Sequence, residues 1–202
     1  MNLAAVTVMG SAFLLGSIPV GALVFRSARG TDIRELGSGS VGASNVFRHG
    51  GAWLGAATLL MDMAKGAAAV LLARVVCPDS AVVAEWSALA SVAGHIFSPW
   101  LRFRGGKGAA TAAGANMILH PAAVMVALAV FCASAFGSRY ASLGTVLAVA
   151  VFAAGVAVSG ADAHSVVIAI VTAALILWAH RGNMRRLLRG EEPTLKPPDE
   201  TW

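Results

Sequence analysis

Apolar runs long enough to cross a lipid bilayer dominate this chain of 202 residues. The first covers about Leu3 to Phe25, which exceeds the roughly 20 residues that a helix needs to span the hydrocarbon. Charged residues make up 12% of the sequence, about half the share in an average globular domain. Because lipid offers no partners for backbone polar groups, such runs fold as helices. The sequence therefore predicts an all-α integral membrane protein.

The remaining apolar runs predict the other helices. They cover Ala52 to Val76, Ala81 to Phe97, Ala109 to Phe136, Ser142 to Val158 and His164 to Trp178. The run from Ala109 to Phe136 is long for one helix and short for two. We expect His120-Pro121 to divide it, because proline removes a backbone donor. We therefore predict seven transmembrane helices, some of them short. Five spans are the alternative if the short segments do not cross.

The positive charges predict which side of the membrane each loop faces. Most lysines and arginines fall on one side in the seven-helix arrangement, and basic loops are typical of the cytoplasmic side. This places the N-terminus outside and the C-terminus in the cytoplasm. Arg186 and Arg189 are interpreted as anchoring charges of this kind. Residues 1–192 form a single transmembrane domain in this interpretation, and residues 193–202 are predicted to be a disordered polar tail.

Two glycine-rich loops on the predicted cytoplasmic side have compositions suited to binding an anion. The second loop contains Gly105, Gly106, Lys107 and Gly108, where glycines allow backbone amides to approach a ligand and the lysine adds a positive charge. The spacing does not match a P-loop. The first loop, from Gly37 to Arg48, combines glycines, serines, an asparagine and an arginine. A flexible linker and a topology-setting basic loop are the plainer explanations.

The predicted loops contain hydroxyls, amides and cations but almost no carboxylates. They lack paired acids, metal-ligand spacing and a nucleophile–base–acid triad, so they favour stabilising phosphate charge over abstracting protons. Asp62 and Lys65 lie within the second apolar run, three residues apart on one helical face, where they can pair. A functional ion pair and a structural clasp both remain open. No nucleic-acid partner is indicated.

The motifs, taken in chain order, resemble a known family of membrane enzymes. They read GSIPVG, DIRELGSGSVGASNVFR, MDMAKG, GHIFSPWLRFRGGKGAAT, RYASLGT and HRGNMRRLLRGEE. They are similar to the PlsY family of bacterial acyl-phosphate:glycerol-3-phosphate acyltransferases over about Gly16 to Glu192. The resemblance implies a seven-helix enzyme of the bacterial inner membrane whose cytoplasmic loops form the site. It implies acyl transfer from acyl phosphate to the 1-hydroxyl of glycerol 3-phosphate, giving lysophosphatidic acid and phosphate, the first step of phospholipid synthesis.

The resemblance also implies site residues, by matching positions. The residues implied to be catalytic are Ser38, Arg48, Lys107 and His180. The residues implied to bind substrate are Gly39, Ser40, Gly42, Ser44, Asn45, Gly105, Gly106, Gly108, Ser142 and Asn183. Ser40 and Gly182 replace the asparagine and glutamate that are usual in the family. The implied partners are acyl phosphate, glycerol 3-phosphate, membrane lipids and the enzyme that forms acyl phosphate; no metal or cofactor is expected.

Two other classes of protein remain compatible with these residues. An organophosphate or anion transporter also uses basic, glycine-rich loops, but it needs polar groups at mid-span, where only Asp62 and Lys65 qualify. A non-catalytic partner in a lipid-synthesis complex would tolerate substitutions in the loops. The other large class of glycerol-phosphate acyltransferases has a histidine and an aspartate five apart, a spacing that this sequence lacks.

Overall fold

The computed structural model describes residues 2–195, and over that range the chain forms helices joined by short loops. The helices are α1 Leu3–Ser17, α2 Val20–Arg29, α3 Ala43–Gly50, α4 Ala52–Val76, α5 Ala81–Ile96, α6 Ala109–Leu119, α7 Pro121–Ser138, α8 Ala141–Val158, α9 Ala163–Ala179 and α10 Arg181–Arg189. This confirms the all-α prediction and the division at His120-Pro121. Residues 196–202 of the predicted disordered tail lie outside the described residues.

Within residues 2–195, four helical segments are long and apolar enough to cross a membrane, and the bent pair α9–α10 makes a fifth. The four are Leu3–Arg29, Ala81–Leu101, Pro121–Ser138 and Ala141–Val158. Helix α4 has 25 residues and contains the buried charged side chains of Asp62 and Lys65. Helix α6 rises only about 16 Å, which is short of the roughly 30 Å hydrocarbon core. All the predicted helical segments are present, whereas seven complete crossings stay a prediction.

The first span is broken where one continuous helix to Phe25 was expected. Helix α1 ends and α2 begins around Pro19, which has no N–H to continue the hydrogen-bond ladder. The carbonyl oxygen of Ile18 at this break accepts a hydrogen bond from Lys65 Nζ of α4 at 2.7 Å. The break therefore supplies a second partner, besides Asp62, for a buried cation that would be costly if left unsatisfied in the membrane.

Glycines allow neighbouring helices to pack with their backbones in contact. A methyl group on Gly66 of α4 would lie 2.1 Å from the carbonyl oxygen of Thr111, and one on Gly114 of α6 would lie 1.9 Å from that of Met63. Small residues commonly permit such close approach in membranes. These contacts hold α6 directly against α4. They therefore also fix the position of the loop that precedes α6.

The course of the helices brings the loops predicted to be functional to one end of the bundle. Helices α1 and α5 run parallel, since Ala5 and Val8 pack near Val83 and Ala84, while Gly16, further along α1, contacts Ser91. The chain therefore returns to the same end after α1, α5, α7 and α9. Residues 30–51, 97–108 and 139–140 and helix α10 meet there.

Candidate active site

A cavity of about 310 Å³ lies where these loops meet. Polar and charged side chains line its mouth, and apolar side chains from α6 to α9 line its interior. The predicted site residues in its wall are Ser38, Ser40, Gly42, Ser44, Asn45, Arg48, Lys107, Gly108, Ser142, His180 and Asn183. The predicted residues outside this wall are Gly39, Gly105 and Gly106. The structure thus joins three separate loops and the last helix into one site.

Asn45 shapes the first loop from inside. Its side chain is 2% exposed, and its Nδ2 donates to the carbonyl oxygens of Ile33, Leu36 and Ser40 at 3.4, 3.1 and 2.9 Å. Its Oδ1 accepts a hydrogen bond from the Ser38 amide at 3.3 Å. These contacts engage both ends of the amide group, so Asn45 sets the position of Ser38 at the cavity mouth.

Arg48 of α3 points at the last described residues of the chain. Its Nε donates to the carbonyl oxygen of Thr194 at 3.1 Å, and its Nη2 donates to that of Pro193 at 3.0 Å. The Leu195 amide donates to the carbonyl oxygen of Arg139 at 2.7 Å, so residues 193–195 of the predicted tail lie across the site. Burial lowers the pKa of Arg48, but a guanidinium stays charged at neutral pH. Its partners are neutral carbonyls, so this charge is available to an anion.

The second loop folds back on the end of α5, which differs from the expectation that its glycine amides face a ligand. The amides of Gly105 and Gly106 donate to the carbonyl oxygens of Ile96 and His95, each at 3.0 Å. These carbonyls belong to the last turn of a helix, where intrahelical partners are missing. A Cβ on Gly105 would lie 2.0 Å from the His95 oxygen. Both glycines are therefore needed for close packing, and their amides are not free to bind phosphate.

Lys107 is a half-buried cation at the cavity mouth. Burial lowers its pKa from 10.5 to about 8; the Glu192 carboxylate opposes this effect, and the Arg186 and Arg48 charges add to it. The amine is therefore mostly protonated at neutral pH. A charged ammonium group withdrawn from water gains more from a phosphate than an exposed one does, because the local dielectric constant is low.

His180 and Asn183 lie at a bend of 55° between α9 and α10. His180 is 4% exposed, and its Nδ1 lies 2.8 Å from the carbonyl oxygen of Ile176. A carbonyl only accepts hydrogen bonds, so Nδ1 carries the proton and Nε2 of the neutral ring is an acceptor. This nitrogen is suited to accept a hydrogen bond from a substrate hydroxyl.

Glu192 and Arg186 belong to the site although no role was predicted for either in it. Asn183 Nδ2 and Arg186 Nε donate to the two Glu192 carboxylate oxygens at 2.6 and 2.8 Å. Burial raises the pKa of Glu192, but the Asn183, Ser142 and Arg186 side chains together lower it by more, so the net shift is downward and the group is charged. The interpretation of Arg186 as only an anchoring charge is wrong, because it lines the cavity. Its spacing of three from Asn183 on a helix was the available signal.

The predicted pair of Asp62 and Lys65 is confirmed, with 2.8 Å between Oδ1 and Nζ. Asp62 and His95 also lie in the cavity wall, a placement that the sequence did not reveal. Among residues 2–195, no group of three or more His, Cys, Asp and Glu side chains could hold a metal ion.

The apolar interior of the cavity is shaped by helices α7, α8 and α9. Its lining includes Leu128 and Phe131 of α7, Phe152 of α8 and Ile176 of α9. From Ser142 at the mouth to Phe152, helix α8 rises about 15 Å. The cavity thus joins a charged surface site to an apolar channel between helices.

Comparisons with known proteins identify the family. The family described as glycerol-3-phosphate acyltransferase matches residues 6–190. A glycerol-3-phosphate acyltransferase of Myxococcus xanthus is 45% identical over 183 residues, covering 89% of this chain and 94% of the relative. One from Rubrobacter xylanophilus is 44% identical over 180 residues, covering 89% of each chain. This chain belongs to the glycerol-3-phosphate acyltransferase family.

Crystal structures of PlsY, an integral membrane glycerol 3-phosphate acyltransferase, have the same fold as this chain. The glycerol 3-phosphate form superposes with a TM-score of 0.89 at 35% identity, covering 94% of each chain. The lysophosphatidic acid form superposes with a TM-score of 0.86 at 33% identity, again over 94% of each. The resemblance noted in the sequence is thereby confirmed, and the chain is a multi-pass integral membrane member of this acyltransferase family.

Proposed function

We propose that this protein transfers a fatty acyl group from acyl phosphate to the 1-hydroxyl of sn-glycerol 3-phosphate, giving lysophosphatidic acid and phosphate. The observation that carries the proposal is the continuity of one cavity from a cationic mouth to an apolar interior. Acyl phosphate has the same two parts, a charged head and an apolar chain. Solved relatives in glycerol 3-phosphate and lysophosphatidic acid forms support the acceptor and the product.

In this proposal, the head group of acyl phosphate binds beside Lys107, Arg48 and Ser38. Glycerol 3-phosphate binds beside Asn183 and His180, whose Nε2 accepts a hydrogen bond from the 2-hydroxyl and so positions the attacking 1-hydroxyl. The hydroxyl oxygen forms a bond to the acyl carbon, and the bond from that carbon to the phosphate oxygen breaks. The hydroxyl proton leaves with the phosphate, which is basic enough to accept it. Proximity and the fixed cations supply the rate enhancement.

The test is phosphate release by the purified protein supplied with palmitoyl phosphate, with and without glycerol 3-phosphate. We expect release that requires glycerol 3-phosphate, formation of lysophosphatidic acid, and no turnover of palmitoyl-CoA. Absence of release from folded protein, combined with organophosphate flux into liposomes, would instead establish a transporter. Loop variants that leave lipid synthesis intact would instead support a non-catalytic partner.

We further infer that the protein lies in the bacterial inner membrane with its N-terminus outside and its C-terminus in the cytoplasm. Arg102 and Arg104 of the second loop, Arg139 and Arg185 are all exposed at the end of the bundle that holds the site. The positive-inside rule then places that end in the cytoplasm. There the site would receive glycerol 3-phosphate from solution and acyl phosphate from the enzyme that forms it.

A further inference from the structure

The inner wall of the cavity contains a buried polar network that the proposed reaction does not use. Lys65 Nζ lies 2.8 Å from Asp62 Oδ1. His95 Nδ1 also lies near this carboxylate, 3.5 Å from Asp62 Oδ1. The same nitrogen lies 3.1 Å from Thr111 Oγ1. Asp62 is 2% exposed, Lys65 6% and His95 7%. Ionisable groups are costly at such depth, so their presence indicates a function that depends on them.

The His95 ring connects this network to the loop that carries Lys107. A Cβ added to Gly106 would lie 2.1 Å from His95 Nε2, and the Gly106 amide donates to the His95 carbonyl oxygen at 3.0 Å. Gly108, which follows Lys107, has a φ of 82°. A Cβ added to Gly108 would lie 2.8 Å from Cγ1 of Val92 in α5. Lys107 is thus held between two glycines that pack on α5.

We propose that His95, oriented by Asp62 and Thr111, is a positioning residue that sets the place of Lys107 in the cavity. One edge of the rigid imidazole meets α4 and α6, and the opposite edge supports the loop at Gly106. The inference rests on the proposed function, in which Lys107 holds the phosphate of the acyl donor. A displacement of about 1 Å at a reacting site can cost about 10²-fold in rate. A ring that fixes the loop to this accuracy therefore acts on catalysis through the position of Lys107.

If His95 positions the loop, its loss should change the pKa of Lys107. If His95 only fills space in the core, its loss should leave that pKa unchanged. Burial is the largest cause of the low pKa of Lys107, and the charges that face it are Glu192, Arg186 and Arg48. When the support under Gly106 is lost, the loop moves outward and Lys107 gains water. Its pKa then rises from about 8 toward its ordinary value of 10.5.

The test compares H95L and H95N with the wild-type enzyme, measuring kcat and the KM of each substrate from pH 6 to pH 10. H95N keeps a polar atom near the position of Nδ1, whereas H95L removes it. For H95L we expect kcat/KM for acyl phosphate to fall about 10²-fold and the alkaline decline in activity to move above pH 8. H95N keeps the contact with Asp62 and Thr111 but is too short to support Gly106, so it should resemble H95L in both measurements. The KM for glycerol 3-phosphate should change least.

The matched control is H164L, which removes another histidine from a carboxylate, since His164 Nδ1 lies 2.7 Å from Glu85 Oε2 far from the site. It should lower thermal stability and leave the pH profile unchanged. If H95L yields no folded protein, G106A carries the same test, because the added methyl group pushes the loop off the ring. Folded H95L or G106A with wild-type kinetics and an unmoved alkaline decline would overturn the inference. An inactive wild-type enzyme would overturn the proposed function instead.

Discussion

At the scale of single residues, the site depends on charges whose strength comes from burial. Lys107 is half-buried, and the carboxylate of Glu192 favours its charged form. Arg48 and Arg186 lie close enough to disfavour its protonation. A bound phosphate would offset this repulsion among the three cations, as the Glu192 carboxylate already does in part for Lys107.

Replacing Lys107 by alanine should lower turnover by orders of magnitude while the protein still inserts into the membrane. In the proposed reaction, the variant loses the charge that stabilises the leaving phosphate, and a preorganised charge of this kind contributes about 10²–10³-fold in comparable sites. Phosphate release at matched protein amounts measures the effect. Near-normal release would show that Lys107 does not belong to the reacting site.

The activity of the wild-type enzyme should decline above about pH 8, because the pKa of Lys107 is lowered to that value. The folded-state pKa lies below the ordinary value of 10.5, so the charge is present below pH 8 and is lost as the pH rises. Phosphate monoesters titrate near pH 6 and do not contribute to this decline. The profile of kcat/KM reports groups of the free enzyme.

Lys107→Arg provides the control for this profile, since arginine keeps its charge throughout the range. Its activity should be lower overall but should show no decline between pH 8 and pH 10. A decline shared by both proteins would assign the titration to another group.

At the scale of helices, glycine determines how close the helices approach and therefore where the loops lie. Gly66 and Gly114 bring α4 and α6 into backbone contact, and Gly16 and Gly94 do the same for α1 and α5. The second loop leaves α5 and enters α6, so both contacts fix its two ends. The glycines of this loop then fit against α5 because both of its ends are already in place.

Gly66→Ala should separate α4 from α6, since the methyl group would lie 2.1 Å from the Thr111 carbonyl oxygen. Overpacking of this kind costs about 1–3 kcal/mol, and thermal unfolding in detergent should show a lower midpoint. Gly137→Ala in α7 is the matched control, because nothing lies within 4 Å of an added Cβ there. Equal midpoints for the two variants would argue against close contact between α4 and α6.

At the scale of the whole molecule, the bundle has two unlike ends. One end holds the cavity, α10 and most of the exposed arginines, and the other holds Arg74, the short turn at residues 77–80 and the loop at 159–162. The polar groups of the active site are therefore confined to one membrane surface, while the apolar part of the cavity reaches into the bilayer.

Single cysteines should reveal this orientation. In a background of Cys77→Ser and Cys132→Ala, a membrane-impermeant maleimide should label Ser159→Cys in intact spheroplasts. Arg189→Cys should react only after the membrane is permeabilised, because both positions are exposed but lie at opposite ends of the bundle. The reverse pattern would contradict the proposed orientation while leaving the fold unaffected.

The sequence by itself determined the helices and most of the polar residues at the cavity. Apolar runs predict helices because lipid leaves the backbone no other partner, and motif positions identified Ser38, Arg48, Lys107 and His180. It also predicted the pairing of Asp62 with Lys65, since spacing along a helix is a local property.

Only the tertiary structure decided what depends on contacts between distant segments. It turned the amides of Gly105 and Gly106 toward α5, placed Glu192 against Asn183 and Arg186, and brought His95 to the loop of Lys107. Composition indicates that a glycine amide can bind an anion, but a helix end with unpaired carbonyls competes for the same donor. The packing of α5 against its neighbours determines whether the glycine amides bind an anion or the carbonyls at the helix end. That packing cannot be predicted from a local sequence pattern.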